Sequence, residues 1–126
     1  MKLFTTILLI FACGTLAAQV QRAEIFLNSK DCIGCTAYFN QLKDSLDRHD
    51  VPQEYSISGL KPFEVEFYLS NYSMNVPAEK IKLVGTDRIG SSSFVKLITR
   101  DSTYTFGLIE YPSKVLIINS LIHPEK

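Results

Sequence analysis

Apolar and polar residues alternate along the chain with two spacings, one typical of β-strands and one typical of helices. Short runs rich in strand-forming residues, each bounded by polar or turn residues, lie at 24–28, 53–58, 94–99 and 103–109. Apolar side chains three or four residues apart occupy the segments 35–46, 65–72 and 115–122. The pattern therefore predicts the order strand, helix, strand, helix, strand, strand, helix.

Prolines mark where the helices begin and end. Pro52 ends the first helix near His49, and Pro62 lies in the first turn of the second helix, where a missing N–H costs no helical hydrogen bond. The second helix is expected to end before Pro77. A short polar connection joins the last two strands, which predicts an antiparallel hairpin.

Two segments allow more than one structure. Residues 81–84 fit either a short strand or an irregular connection. Residues 112–122 are expected to form a terminal helix, although their β-branched side chains are also compatible with a strand.

The first 18 residues have the pattern of a signal peptide. Lys2 precedes an apolar stretch at 3–12, and small residues lead up to Gln19. The stretch is shorter than the roughly 20 residues that cross a bilayer. We therefore expect residues 1–18 to be removed and residues 19–126 to form one domain, which is periplasmic or secreted.

Cys13 offers a second route of processing. The residues around it resemble the lipobox of bacterial lipoproteins, in which this cysteine would be lipidated and would anchor the domain to a membrane. Simple cleavage is favoured because Phe11 is bulky for a lipobox and the apolar stretch before Cys13 is short.

Charge narrows the range of partners. The chain has 13 acidic and 13 basic residues and no formal net charge. A balanced chain lacks the basic surplus typical of nucleic-acid binding or of attachment to anionic membranes. We expect a monomer that needs no cofactor, recognises its partners by shape or chemistry, and contacts a membrane only if Cys13 is lipidated.

The two cysteines that follow the signal segment form a Cys-x-x-Cys motif. Cys32 and Cys35 lie where the first strand meets the first helix. A loop closed across two residues removes little chain entropy, so reactivity explains this pair better than stability does. A helix N-terminus favours the thiolate that attacks disulfides. We expect Cys32 to attack, Cys35 to resolve the mixed disulfide, and Gly34 to let a substrate approach closely.

This order of elements resembles the thioredoxin fold, and its specific motif is the sequence Asp31-Cys32-Ile33-Gly34-Cys35. The resemblance implies an α/β domain with a central mixed sheet of about four strands flanked by helices. It also implies an exported thiol-disulfide oxidoreductase that acts on protein or small-molecule thiols and disulfides.

In the thioredoxin fold, the loop before the third strand faces the cysteines and holds the backbone of the substrate. The resemblance implies the same role for the matching loop of this chain. In this chain the loop contains Ser91, Ser92 and Ser93, which with Gly34 are the expected substrate-binding residues. The family has a cis-proline in this loop, whereas a serine would leave the peptide bond trans.

Two further departures from the family pattern concern single residues. Asp31 stands where thioredoxins have tryptophan, and Phe26 stands where they have a buried acid that assists proton transfer. Together with the serine loop, these differences support an alternative hypothesis, in which the domain is a non-catalytic binding module that has kept the thioredoxin-like shape.

A copper chaperone is a third, weaker hypothesis. Such domains also place Cys-x-x-Cys between a first strand and a first helix, and two thiolates suit Cu(I). They usually have methionine shortly before the first cysteine, where this chain has Lys30 and Asp31. Zinc would need two more ligands. His49 and His123 are interpreted as solvated or capping residues, so no metal ligands are assigned.

We expect the exported protein to begin at Gln19, because the small-residue segment ends at Ala18. Intact-mass analysis of material from outside the cytoplasm measures this directly. A mass that corresponds to a diacylated Cys13 terminus would replace cleavage with lipidation, and an unprocessed cytoplasmic chain would contradict export.

Overall fold

The described part of the chain contains five strands. The structure, a computed structural model, describes residues 20–31, 34–90 and 92–122, with residues 34–36 given by their backbone alone. The strands are β1 (Val20–Asn28), β2 (Gln53–Ser58), β3 (Ile81–Val84), β4 (Phe94–Thr99) and β5 (Thr103–Gly107). The α-helices in these ranges are α1 (Gly34–Arg48), α2 (Val65–Asn71), α3 (Thr86–Ile89) and α4 (Tyr111–Ile122). Short 3₁₀ turns cover Pro62–Glu64, Ala78–Lys80 and Leu108–Glu110.

β1 lies at the centre of a mixed sheet with the strand order β3-β2-β1-β4-β5. It runs parallel to β2, with Asn28 opposite Ser58, and antiparallel to β4, with Ile25 opposite Val95. β3 extends the parallel part beyond β2, and β5 pairs antiparallel with β4. Because β1 and β2 are parallel, both end at the same side of the sheet. We call this side, marked by Asn28 and Ser58, the carboxyl edge.

One face of the sheet carries the apolar core. Alternate residues of β1 and β4 are buried on this face, as the two-residue period of a strand requires. α1 packs on them through Phe39, Leu42 and Leu46, which are fully buried, and α4 adds Ile118 and Ile122. Burial of a side chain of this size contributes roughly 1.5–3 kcal/mol. This packing holds α1 against the sheet and so fixes where its first turn lies.

The opposite face of the sheet is partly exposed. Phe26 of β1 stacks on Phe94 of β4, with the ring centroids 4.7 Å apart. The Nζ of Lys96 lies 5.6 Å from the centroid of the Phe26 ring. The two rings shield each other, and the cation contacts the face of the aromatic system.

The predicted α/β architecture is confirmed, with five strands where about four were expected. Residues 81–84 form β3, which pairs with β2 from Tyr55 opposite Ile81 onward. β3 and α3 have four residues each, too few for periodicity to identify them from sequence. The terminal segment is the helix α4 and not a strand. β5 ends at Gly107, where the last 3₁₀ turn begins.

The expected signal peptide, Cys13 and His123 lie outside the described residues. Among the helices of the ranges that are described, none is long and apolar enough to cross a membrane.

A chain of polar contacts links the end of α1 to β2. Lys43 Nζ lies 2.6 Å from Asp47 Oδ2, and Gln53 Nε2 donates to Asp47 Oδ1 at 2.7 Å. The hydroxyl of Tyr55 donates to Gln53 Oε1 at 2.5 Å. Burial of the phenol, reinforced by the negative charge of Asp47, raises the pKa of Tyr55 from 10.0 to about 12.

This pKa shift predicts how stability depends on alkaline pH. Because the folded pKa of Tyr55 is raised, its contribution is complete below pH 10 and is lost as the pH rises towards 12. The free energy of unfolding of the wild type should therefore fall across this window by roughly 1–2 kcal/mol more than that of Tyr55→Phe. Urea titrations at several pH values measure it. The control is Tyr72→Phe, which removes a phenol outside this network and should keep the wild-type pH dependence. Parallel curves for wild type and Tyr55→Phe would contradict the assignment.

Candidate functional site

The chain leaves β1 through a tight turn held by Asn28. The Oδ1 of Asn28 accepts a hydrogen bond from the backbone N–H of Lys30 at 2.9 Å, and its carbonyl accepts one from the N–H of Asp31 at 2.9 Å. Asparagine favours such turns because its side chain can bond the backbone two residues later. The N–H of Ser29 also donates to the carbonyl of Ser58 at 3.1 Å. The residues just before the Cys-x-x-Cys motif are thus fixed at the carboxyl edge.

Cys32 and Cys35 follow this turn in the sequence. Cys32 lies outside the described residues. Gly34 is the first residue of α1, and Cys35 is the second, so its backbone lies in the first helical turn. The first-turn N–H groups of a helix lack intrahelical acceptors and favour a negative group. No acidic residue occupies the first turn of α1.

Ser93 connects the serine loop to the turn before the cysteines. Its Oγ accepts a hydrogen bond from the N–H of Asn28 at 2.9 Å, and its own N–H donates to Asp31 Oδ2 at 2.7 Å. Its carbonyl accepts a third bond from the N–H of Leu108 at 2.9 Å. Ser93 is buried, with 3% of its surface exposed. The structure therefore places Ser93 beside the residue that precedes Cys32.

The other two loop serines differ from Ser93. Ser92 is exposed, and Ser91 lies outside the described residues. Among the described residues no peptide bond is cis, so the loop residues Ser92 and Ser93 are joined by a trans bond. The polar atoms of Ser93 hold the loop in place, whereas Ser92 is exposed to solvent.

Gly90 lets the chain turn from α3 into this loop. It has φ 79° and ψ −154°, a backbone conformation that is almost confined to glycine. The Nδ2 of Asn28 donates to the carbonyl of Gly90 at 2.7 Å, and the N–H of Gly90 donates to the carbonyl of Thr86 at 2.9 Å. The side chain of Asn28 therefore bonds both its own turn and the start of the serine loop.

A third segment reaches the carboxyl edge after β2. Gly59 has φ 84°, and a Cβ atom at this position would lie 2.5 Å from the Oγ of Ser29. The positive φ favours glycine here, and a Cβ would also displace the hydroxyl of Ser29. The chain then continues into an apolar groove of about 410 Å³, which is lined by Leu60, Phe63, Glu64, Phe67, Tyr68, Asn71 and Tyr72. Phe63 and Phe67 are 79% and 73% exposed.

Metal ligands do not converge in the described part of the chain. No group of three or more His, Cys, Asp or Glu side chains that could hold a metal ion occurs there. His49 lies directly after the last turn of α1, at the opposite end of the helix from Cys35.

Sequence reasoning missed the role of Asn28 and the contact made by Asp31. The sequence pattern predicts Asn28 only as the last residue of a strand, yet its side chain bonds both the turn before the cysteines and the start of the serine loop. An asparagine at the end of a strand and before Ser-Lys-Asp is a usable signal for such a turn. The bond between Asp31 and Ser93 joins residues 62 positions apart and leaves no local pattern in the sequence.

No protein-family model and no curated protein matches the chain. A secreted disulfide oxidoreductase of Mycobacterium tuberculosis, homologous to E. coli DsbE, matches with a TM-score of 0.51 and 11% sequence identity, over 82% of this chain and 85% of that chain. BsSco, a member of the Sco family of cytochrome c oxidase assembly proteins with a disulfide switch, matches with a TM-score of 0.41 and 13% identity, over 89% of this chain and 85% of that one.

The likeness to the secreted oxidoreductase agrees with the topology described above. A mixed sheet has β1 at its centre, and the helix that follows β1 begins beside the Cys-x-x-Cys motif. The chain has a thioredoxin-like fold.

Proposed function

We propose that this protein is an exported thiol-disulfide oxidoreductase that exchanges disulfides through Cys32 and Cys35. The observation that carries the proposal is the pair of hydrogen bonds from Ser93 to Asn28 and Asp31. They bring the loop that holds substrate backbone in thioredoxins next to the start of a Cys-x-x-Cys helix. A solved structure with a similar fold, described as a secreted disulfide oxidoreductase, belongs to the same chemical class.

The reaction needs only the two thiols and a substrate disulfide. The Cys32 thiolate attacks one substrate sulfur, so that a Cys32–substrate S–S bond forms and the substrate S–S bond breaks. The first substrate thiolate leaves and takes up a proton. Cys35, as a thiolate, then attacks the Cys32 sulfur and releases the second substrate thiol. Two electrons pass to the substrate, and the Cys32–Cys35 disulfide remains; the reverse sequence oxidises a dithiol substrate.

The residues assigned to substrate binding differ in how far they are exposed. Gly34 has no side chain that could obstruct a substrate, and Ser92 is an exposed loop residue that can contact substrate backbone. Ser91 is assigned with it as part of the same loop. Ser93 supports the loop from below, because its hydroxyl, N–H and carbonyl all have partners within the domain. The partners are thus protein or small-molecule thiols and disulfides.

A non-catalytic binding module is the second candidate, favoured by two observations. The N–H of Ser93 is already engaged by Asp31, so this loop amide is not open to substrate backbone. Phe63 and Phe67 expose apolar surface beside the groove that follows β2, as binding surfaces often do. The two candidates differ in whether the cysteine pair cycles reversibly.

Equilibration with defined ratios of reduced and oxidised glutathione, followed by mass spectrometry, measures this cycling. We expect a single reversible transition of two electrons between the dithiol and the Cys32–Cys35 disulfide. If the cysteines stay reduced, or stay bridged, at every glutathione ratio, the proposed oxidoreductase function is contradicted and the binding-module hypothesis remains.

Cys35→Ser should accumulate mixed disulfides, whereas Cys32→Ser should not, because only Cys32 is expected to attack substrate and only Cys35 to resolve the product. Non-reducing electrophoresis after incubation with a disulfide-bonded peptide detects the adducts. The double variant is the control for background. Equal trapping by both single variants, or by neither, would contradict the division of roles.

Ser93→Ala should lower the free energy of unfolding by roughly 1–3 kcal/mol, because the N–H of Asn28 would lose its acceptor in a part-buried position. Ser92→Ala is the matched control one residue away, and as an exposed substitution it should change stability by less than about 0.5 kcal/mol. Urea unfolding followed by circular dichroism compares them. Equal stabilities of the two variants would show that Ser93 does not anchor the loop.

A further inference from the structure

The carboxylate of Asp31 is held at a defined place directly before Cys32. Asp31 is half-buried, and its Oδ2 accepts a hydrogen bond from the N–H of Ser93 at 2.7 Å. A short bond from a backbone N–H favours the ionised form of a carboxylate. The residue directly before Cys32 in the sequence therefore carries a carboxylate that is fixed in place and tied to the serine loop.

Most other charges near this edge are more exposed. Lys30 is exposed, and its backbone N–H donates to Asn28 Oδ1. On the other segments at the carboxyl edge, the exposed charged side chains are Lys61, Asp87, Arg88 and Glu110. Glu64 is half-buried, and its Oε1 accepts a hydrogen bond from the N–H of Lys61 at 2.8 Å. Glu110 is paired with Lys114 at 3.2 Å. Exposed charges are screened by water and salt much more strongly than partly buried ones. Asp31 is thus the half-buried charge nearest to Cys32 along the chain.

The negative charge of the Asp31 carboxylate and the N-terminus of α1 have opposite effects on a nearby thiolate. The N-terminus of α1 favours a thiolate, and no acidic side chain lies in its first turn. A negative group held beside Cys32 disfavours the thiolate. A stabilised thiolate favours the reduced form of a cysteine pair, as in the strongly oxidising members of this chemical class. A destabilised thiolate therefore favours the disulfide.

We propose that Asp31 is a positioning residue that sets the direction of electron flow by lowering the reduction potential of the Cys32–Cys35 pair, so that the dithiol donates electrons to substrate disulfides. This inference rests on the proposed oxidoreductase function. In each turnover the two cysteine thiols give up two electrons and two protons, and the substrate disulfide becomes two thiols. A dithiol electron donor of higher reducing power must then restore the pair.

Asp31→Asn tests the role of the charge, because asparagine keeps a carbonyl oxygen that can accept the Ser93 bond. Equilibration with glutathione at neutral pH should shift its equilibrium constant three- to tenfold towards the dithiol, which raises the potential by about 15–30 mV for two electrons. The thiolate fraction of Cys32, followed by ultraviolet absorbance, should increase at the same pH. The difference in potential should vanish at a pH low enough to protonate Cys32 in both proteins.

Two further variants separate charge from anchoring. Asp101→Asn removes the same charge at the opposite end of the sheet, after β4, and should keep the wild-type potential. Asp31→Ala removes both the charge and the acceptor for Ser93, so it should show the shifted potential together with a lower free energy of unfolding.

The possible results are distinguishable. An Asp31→Asn potential equal to that of a cycling wild type overturns the role of Asp31, and so does a shift of the same size at every pH. A shift in Asp31→Ala alone shows that the loop anchor and not the charge matters, which also overturns it. A wild-type pair that does not cycle overturns the proposed function itself, and this inference with it.

Discussion

The candidate site depends on the hydrogen bonds that converge on Ser93. One bond fixes the end of β1 through the N–H of Asn28, a second fixes Asp31, and a third fixes the turn after β5 through Leu108. Segments far apart in the chain are thereby held at one edge of the sheet. Because Ser93 is buried, loss of one partner would leave a polar group without the water that could replace it.

The apolar core and the hydrogen bonds of Ser93 contribute differently to the structure of the site. Phe39, Leu42 and Leu46 press α1 onto the sheet and determine where its first turn lies. Apolar contacts of this kind are not directional, so they position a helix without orienting a loop. Hydrogen bonds are directional, so those of Ser93 orient the serine loop. The parallel pairing of β1 and β2 then explains why the turn before the cysteines and the segment after Ser58 meet at one edge.

Periodicity was sufficient to predict the elements with the strongest patterns. The bounds of β2 and β4 match the prediction, and α1 begins at the motif and ends near His49 as expected. Residues 81–84 fitted either a strand or a connection, and the pairing with β2 is what makes them β3. The four residues of α3 hold little more than one helical turn, which is too short for a helical pattern to show. The serine loop was identified through the family resemblance. Its contact with Asp31 depends on tertiary structure, which no local pattern records.

The departures from the thioredoxin pattern at position 31 and in the serine loop meet in one hydrogen bond. A proline in this loop would fix its own φ angle and would have no N–H to donate. Ser93 has a backbone N–H, and a loop with a free buried donor would be destabilised unless an acceptor were supplied. Asp31 supplies it, which tryptophan at the same position could not do, because the indole group only donates. Three hydrogen bonds of Ser93 hold this loop in place. One of them is accepted by the Asp31 carboxylate, so the contact that anchors the loop also fixes an acidic side chain directly before Cys32 in the sequence.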